Sequence, residues 1–300
     1  MAAVSAALAS IPSPSTGVYH LGPFTLHMYG LMLLLAIAGA LWLTGKRWVR
    51  FGGAWDLVFR VAIYGVIAGI IGARVYHDIT SWNQDSAIHA HWYGPFAVWS
   101  GGLGIWGAIP LGVLAGAWVV RRSGNSIRLF MDAVAPGLLL AQGIGRWGNW
   151  FNQELYGKPT NLPWGLEIDS SHRPVQYLNH ATFHPTFLYE MLFDFAAAGF
   201  LIWLGRRDRI RPPGLFALYV TLYSFGRFWI EALRVDPAHH IAGLRLNDWV
   251  AAIGFVGGLI WFRRTQRQGG NTPRLRRRKP KPAAPPPAMA VPKGRVRPGR

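Results

Sequence analysis

The sequence predicts an all-α polytopic membrane protein: about seven transmembrane helices, a small extracytoplasmic head and a disordered basic C-terminal tail. Three observations carry this. The 300 residues are 51% hydrophobic and only 15% charged, whereas soluble domains carry roughly 25% charged residues. Apolar stretches long enough to be spans recur along the chain. The basic residues between them fall in alternate connections.

Residues 1–17 are rich in Ala, Ser and Pro and lack the basic start of a signal peptide, so they are expected to form a flexible, uncleaved segment. The membrane domain is expected over 18–262. Its spans are predicted at about 26–45, 57–73, 96–120, 130–145, 185–204, 214–233 and 249–262, the fourth and seventh short against the roughly 20 residues a bilayer needs. Gly101, Gly102, Gly104, Gly107 and Pro110 in the third favour close helix approach or a broken helix.

Lys46, Arg47 and Arg50 follow the first span, Arg121, Arg122 and Arg128 the third, and Arg206, Arg207, Arg209 and Arg211 the fifth. By the positive-inside rule that side is cytoplasmic. The N-terminus and the connections 74–95, 146–184 and 234–248 then lie outside.

The net charge of +18 is unevenly placed. Residues 263–300 hold 13 of the 31 Lys and Arg and none of the 13 acidic residues, so 18 basic and 13 acidic residues remain over 1–262, a net +5. A Pro-rich, aperiodic basic run after a hydrophobic helix reads as a disordered tail drawn to anionic lipids on the cytoplasmic side. No nucleic-acid partner is expected. Cysteine is absent, which excludes disulfides, thiolate metal sites and a cysteine nucleophile; any thiol chemistry must act on a substrate's thiol.

Polar groups at the edge of hydrocarbon are costly to keep, so they mark function. The outer connection 146–184 opens with such a group: Arg146, Asn149, Asn152 and Glu154, interleaved with Gly145, Gly148 and Gly157, which permit close backbone approach to a ligand. Alone, Arg146 would be read as snorkelling to the headgroups. In the sixth span Tyr223, Arg227, Glu231 and Arg234 are spaced by four, four and three, one polar stripe on a helix. An internal Arg227–Glu231 pair is the plainer reading, but the stripe ends in a further arginine with no evident partner. Arg146 and Arg227, on separate outward elements, are expected to converge on one phosphate, which the guanidinium fork suits. A phospholipid head is the phosphate available at that depth.

Glu190 and Asp194 share a helix face and are expected to support arginines rather than carry chemistry. His184-Pro185 marks a helix entry, and Tyr29 reads as an interfacial anchor. His77, His89 and His91 have no compact ligand spacing, so neither a metal nor another cofactor is expected. Arg60 and Asp132 are isolated and are assigned packing or topology.

These motifs resemble the prolipoprotein diacylglyceryl transferases of bacteria over about residues 18–262. The likeness runs through His27-Met28-Tyr29-Gly30, Gly72-Ala73-Arg74, Trp99 to Gly107, the signature 145–157, His184-Pro185 to Tyr189-Glu190, and Gly226-Arg227 to Glu231 and Arg234. The resemblance implies a plasma (inner) membrane enzyme moving the diacylglyceryl group of phosphatidylglycerol to the lipobox cysteine of a prolipoprotein, giving a thioether and glycerol phosphate. It also implies a seven-helix body with a periplasmic head.

By residue, the resemblance places Arg146, Asn149, Gly157, Arg227 and Tyr29 at functional positions, with Glu231 and Arg234 beside them; Glu154 joins the substrate-binding set from the signature. Arg146 and Arg227 are expected to stabilise the departing phosphate, Tyr29 and Asn149 to orient the lipid head, and Glu231 to hold Arg227. Several family members carry a histidine after the Trp-x-Gly-Gly stretch where this chain has Trp106. The thiol base therefore does not carry over. A thiol with a pKa near ~8.5 in a positive field needs little help, and His27 is the reserve proton acceptor. The rival classes are a phospholipid transporter or flippase using the same arginines, against which no internal repeat is evident, and a scaffold whose charges are structural pairs.

Overall fold

The computed structural model describes residues 10–207, 209–236 and 240–267. Residues 1–9, and the basic tail from 268 onward, lie outside the described residues. Seven long helices dominate: α1 Met28–Arg50, α2 Trp55–Ser81, α3 Ile105–Arg122, α4 Ile127–Phe151, α5 Thr186–Gly205, α6 Gly214–Leu233 and α7 Leu246–Arg267. Four of them, α1, α2, α4 and α5, are long and apolar enough to cross a membrane. Their exposed surface is apolar along its length, as at Leu33, Leu34, Ile67, Ile71 and Leu192, a composition that only a hydrocarbon surround favours over water.

Three predicted boundaries move. The fourth and seventh stretches continue as helix past the apolar residues that marked them: α4 has 25 residues and takes in Arg146 and Asn149, and α7 has 22 and takes in Arg263, Arg264 and Arg267. The stretch 96–104 of the predicted third span is not α-helix. Gly101 and Gly102 take positive φ there (87° and 67°), a turn that glycine accepts without strain. Arg74 of α2 fastens this turn by donating to the carbonyls of Gly94 (2.6 Å), Pro95 (2.9 Å) and Gly101 (2.8 Å).

Glycine brings α2 and α3 into backbone contact: a Cβ on Gly107 would lie 2.0 Å from the carbonyl oxygen of Gly72. α1 lies along α4 and α6 along α7, while α5 packs on α4 and α6. At the end of the bundle carrying Lys46, Arg121 and Arg206, a core of Trp48, Leu57, Val58, Val119, Val120, Leu129, Phe130 and Ala133 joins α1 to α4. Asp132, expected to be isolated, is buried there: its Oδ1 accepts from Phe216 N (3.0 Å) in the first turn of α6. Arg47 donates to the neighbouring carbonyls of Asp132 (3.1 Å) and Ala133 (3.2 Å).

The opposite end carries three small antiparallel pairs: β1 Val18–Leu21 with β2 Phe24–His27, β3 Leu166–Glu167 with β4 Thr182–Phe183, and β5 His240–Ile241 with β6 Leu244–Arg245. The β3–β4 pair, widened by bridges from Ile11 to Leu166 and from Pro159 to Phe183, covers a core of Tyr156, Leu166, Ile168, Phe183 and Phe187. Residues 10–17 of the N-terminal segment lie against the head. Ile11 N donates to Gly165 O (2.8 Å), and the carbonyls of Pro12 and Pro14 accept from Trp150 Nε1 (3.2 Å) and Gln153 Nε2 (2.8 Å).

Candidate functional site

The polar signature does not begin the connection, as the hydropathy suggested; Arg146 and Asn149 lie on the last two turns of α4. Gly148 lets α1 approach α4 there, since a Cβ on it would lie 2.7 Å from Tyr29 Cδ2. The Tyr29 ring thus rests against the turn that carries Arg146 and Asn149.

From Arg146 two hydrogen-bonded routes lead away. Its Nη1 donates to Asn149 Oδ1 (3.3 Å), and Asn149 Nδ2 donates to Glu154 Oε1 (2.8 Å). Its Nη2 donates to Glu190 Oε1 on α5. The other oxygen of Glu190 lies 3.6 Å from Arg227 Nη1 on α6. One carboxylate, 4% exposed, therefore bridges the two arginines that the sequence placed on separate elements.

Arg227 also pairs with Glu231 one turn on (2.6 Å), as its spacing predicts. Glu231 has no exposed surface. It gathers Arg245 Nε (2.7 Å), Asn247 Nδ2 (3.1 Å) and, at 4.0 Å, Arg234 Nη1. Arg234 is not the unpaired end of the helical stripe. It follows the last residue of α6 in an extended conformation, and its Nε pairs with Asp236 Oδ1 (2.6 Å). Arg245 reaches the same aspartate through Nη2 (2.9 Å). Burial opposes ionisation of Asp236, yet the hydrogen bond and charge of Arg234, with Arg245, outweigh it and hold the carboxyl below its ordinary range.

Gly157 ties the loop to this cluster. Its N–H donates to His184 O (2.9 Å), Lys158 N donates to Leu233 O (2.8 Å), and Gly157 bridges Arg234. A Cβ at 157 would lie 2.7 Å from His184 Cβ, so the glycine is needed for this backbone packing. A narrow pocket results, lined by Arg146, Asn149, Leu155, Thr186, Phe187, Glu190 and Arg234. Arg227 stands behind this wall, between Glu190 and Glu231.

The expected residues are thus brought together with one exception, His27, and Trp106, which stands where several family members carry a histidine, also lies apart. His27 is exposed at the N-terminus of α1 and, among the described residues, makes no hydrogen bond to the cluster. Trp106 is exposed in the first turn of α3. Sequence reasoning missed Arg245 and Asp236 altogether. Both sit in an aperiodic connection that mixes charged, polar and apolar residues, so no sequence pattern singles them out. Glu190 was read as a support, yet it is the junction. His77, His89 and His91 form no metal-ligand group among the described residues.

A family profile described as prolipoprotein diacylglyceryl transferase matches residues 16–264. The chain is 51% identical over 261 residues to the phosphatidylglycerol–prolipoprotein diacylglyceryl transferase of Cutibacterium acnes, covering 87% of this chain and 88% of that one. It is 49% identical over 253 residues to the second such transferase of Streptomyces coelicolor (84% and 80% covered), and 45% identical over 278 residues to that of Bifidobacterium adolescentis (88% and 82%). With this likeness running through every element that builds the pocket, the chain belongs to the prolipoprotein diacylglyceryl transferase family.

Proposed function

We propose that this chain transfers the diacylglyceryl group of phosphatidylglycerol to the cysteine thiol of a prolipoprotein lipobox, forming a thioether and releasing glycerol phosphate, with Arg146 and Arg227 as the clamp on the lipid phosphate. The observation that carries the clamp is the shared carboxylate: groups that both reach Glu190 are close enough to share one phosphate. The absence of cysteine from the chain fits a thiol brought by the substrate.

The reaction replaces a carbon–oxygen bond by a carbon–sulfur bond, and negative charge grows on the departing phosphate. Guanidiniums held beforehand by Asn149, Glu231 and Asp236 stabilise that charge with little reorganisation, which is where such sites gain most. Asn149, held by Arg146 and Glu154, and Tyr29, seated on Gly148, orient the lipid head. Arg234 offers a third guanidinium from the pocket wall, and Gly157 sets its backbone.

In this reading all seven long helices cross the plasma membrane of a bacterium. The N-terminus and the β3–β4 head face outward, and the ends near Lys46, Arg121 and Arg206 face the cytoplasm with the C-terminus. The basic run beyond α7 attracts anionic lipid there, with no role for nucleic acid. The test is mass spectrometry of a lipobox peptide incubated with the full chain and phosphatidylglycerol. A diacylglyceryl mass on the cysteine is expected; lipid translocation without a covalent product would point instead to the phospholipid transporter.

A further inference from the structure

One chemical requirement of this reaction has no residue yet, the acceptor for the thiol proton. Trp106 has an indole N–H but no basic lone pair, and His27 is not joined to the cluster. The pocket wall contains one carboxylate, Glu190, and it is in contact with both clamp arginines.

Resting on the clamp reading, we propose that Glu190 takes the thiol proton, and that it becomes able to do so when the lipid phosphate replaces it on Arg146 and Arg227. In the structure one Glu190 oxygen accepts from Arg146 Nη2 and the other faces Arg227 Nη1 at 3.6 Å, so the carboxylate stands where a phosphate shared by the two guanidiniums would sit. A phosphate that takes those guanidiniums leaves both Glu190 oxygens free to accept the proton of a thiol in the pocket.

The surroundings favour this exchange. One turn deeper on α5 lies Asp194, 1% exposed, with neither carboxylate oxygen hydrogen-bonded among the described residues. It is not part of the pocket wall, which leaves Glu190 as the carboxylate there. Facing Glu190 from the other helices are Arg146 on α4, and Arg227 and Tyr223 on α6; Arg234 stands across the pocket. Among the described residues Arg146 Nε has no hydrogen-bond partner, so this guanidinium has a donor to spare as the oxyanions exchange. The base is thus armed by the lipid substrate itself.

The step balances. The sulfur lone pair forms the bond to the glyceryl carbon, and the carbon–oxygen bond breaks with its electron pair leaving on the phosphate. The S–H proton passes to Glu190. As glycerol phosphate departs it carries that proton away, and Glu190 returns to the arginines. No oxidant, reductant or further reactant is needed.

The test uses Glu190→Gln and Glu190→Asp in the full chain, assayed with saturating phosphatidylglycerol and a cysteine lipobox peptide between pH 6.5 and 9.5. At neutral pH kcat is expected to fall about 100-fold for Glu190→Gln and about tenfold for the retracted carboxylate of Glu190→Asp, with KM for phosphatidylglycerol unchanged or lower. Both losses are expected to shrink as pH rises toward the thiol pKa of about 8.5, because the peptide then arrives ionised. A loss of equal size at every pH, or no loss, overturns the proposal, and either variant alone decides it if the other does not fold. Failure of the clamp reading looks different: Arg146→Ala and Arg227→Ala would turn over phosphatidylglycerol normally, whatever Glu190 does.

Discussion

Glu190 holds Arg146 with one oxygen and faces Arg227 at 3.6 Å with the other, so a single carboxylate on α5 couples the ends of α4 and α6. The two guanidiniums are thereby tied through a third helix as well as through the two that carry them.

Removing either arginine is expected to cost about 10²–10³ in kcat, the usual loss when one preorganised donor leaves a charge-developing site. Arg227→Lys is expected to lose activity as well, because an ammonium cannot reach Glu190 and Glu231 with a planar fork. Turnover of phosphatidylglycerol with a lipobox peptide measures both.

Glu231→Ala is expected to be a stability variant before it is a kinetic one. The side chain is fully buried, pairs with Arg227 and Arg245 and accepts from Asn247, and breaking a buried ion pair typically costs about 3–5 kcal/mol. Thermal unfolding in detergent should fall sharply for Ala and less for Gln, which keeps the shape and part of the hydrogen bonding.

Gly157→Ala tests the join between loop and helix. Its Cβ would meet His184 Cβ at 2.7 Å and Leu233 O at 3.1 Å, and the strain of about 1–3 kcal/mol would move Arg234 away from the pocket. The expected outcome is a rise in KM for phosphatidylglycerol with a modest loss of melting temperature, read from steady-state kinetics and unfolding of the same preparation.

Asp236 predicts an acid limit. Its carboxyl is held below the ordinary aspartate value of 3.8 in the fold, so it binds fewer protons folded than unfolded. The stability it supplies is complete above about that value and is lost as pH falls through the lower, folded value. Asp236→Asn is expected to flatten the acid limb of a melting-temperature profile measured from pH 6 downward, and to leave the neutral and alkaline side of the profile unchanged in shape.

The sequence by itself determined the helices and the identity of the polar groups. Hydrocarbon tolerates few charges, so apolar runs read as helices, and Arg146, Arg227 and Glu231 stood out. The Arg227–Glu231 pair was legible because it lies within one helical turn. What lies between chain segments was not. The Tyr29–Gly148 contact, the Arg245–Glu231 pair and the Glu190 bridge join residues that no periodicity relates. Only the tertiary structure decided that Glu190 is the junction and that Arg234 is paired, because the cost of burying each charge is met by partners folded in from other elements.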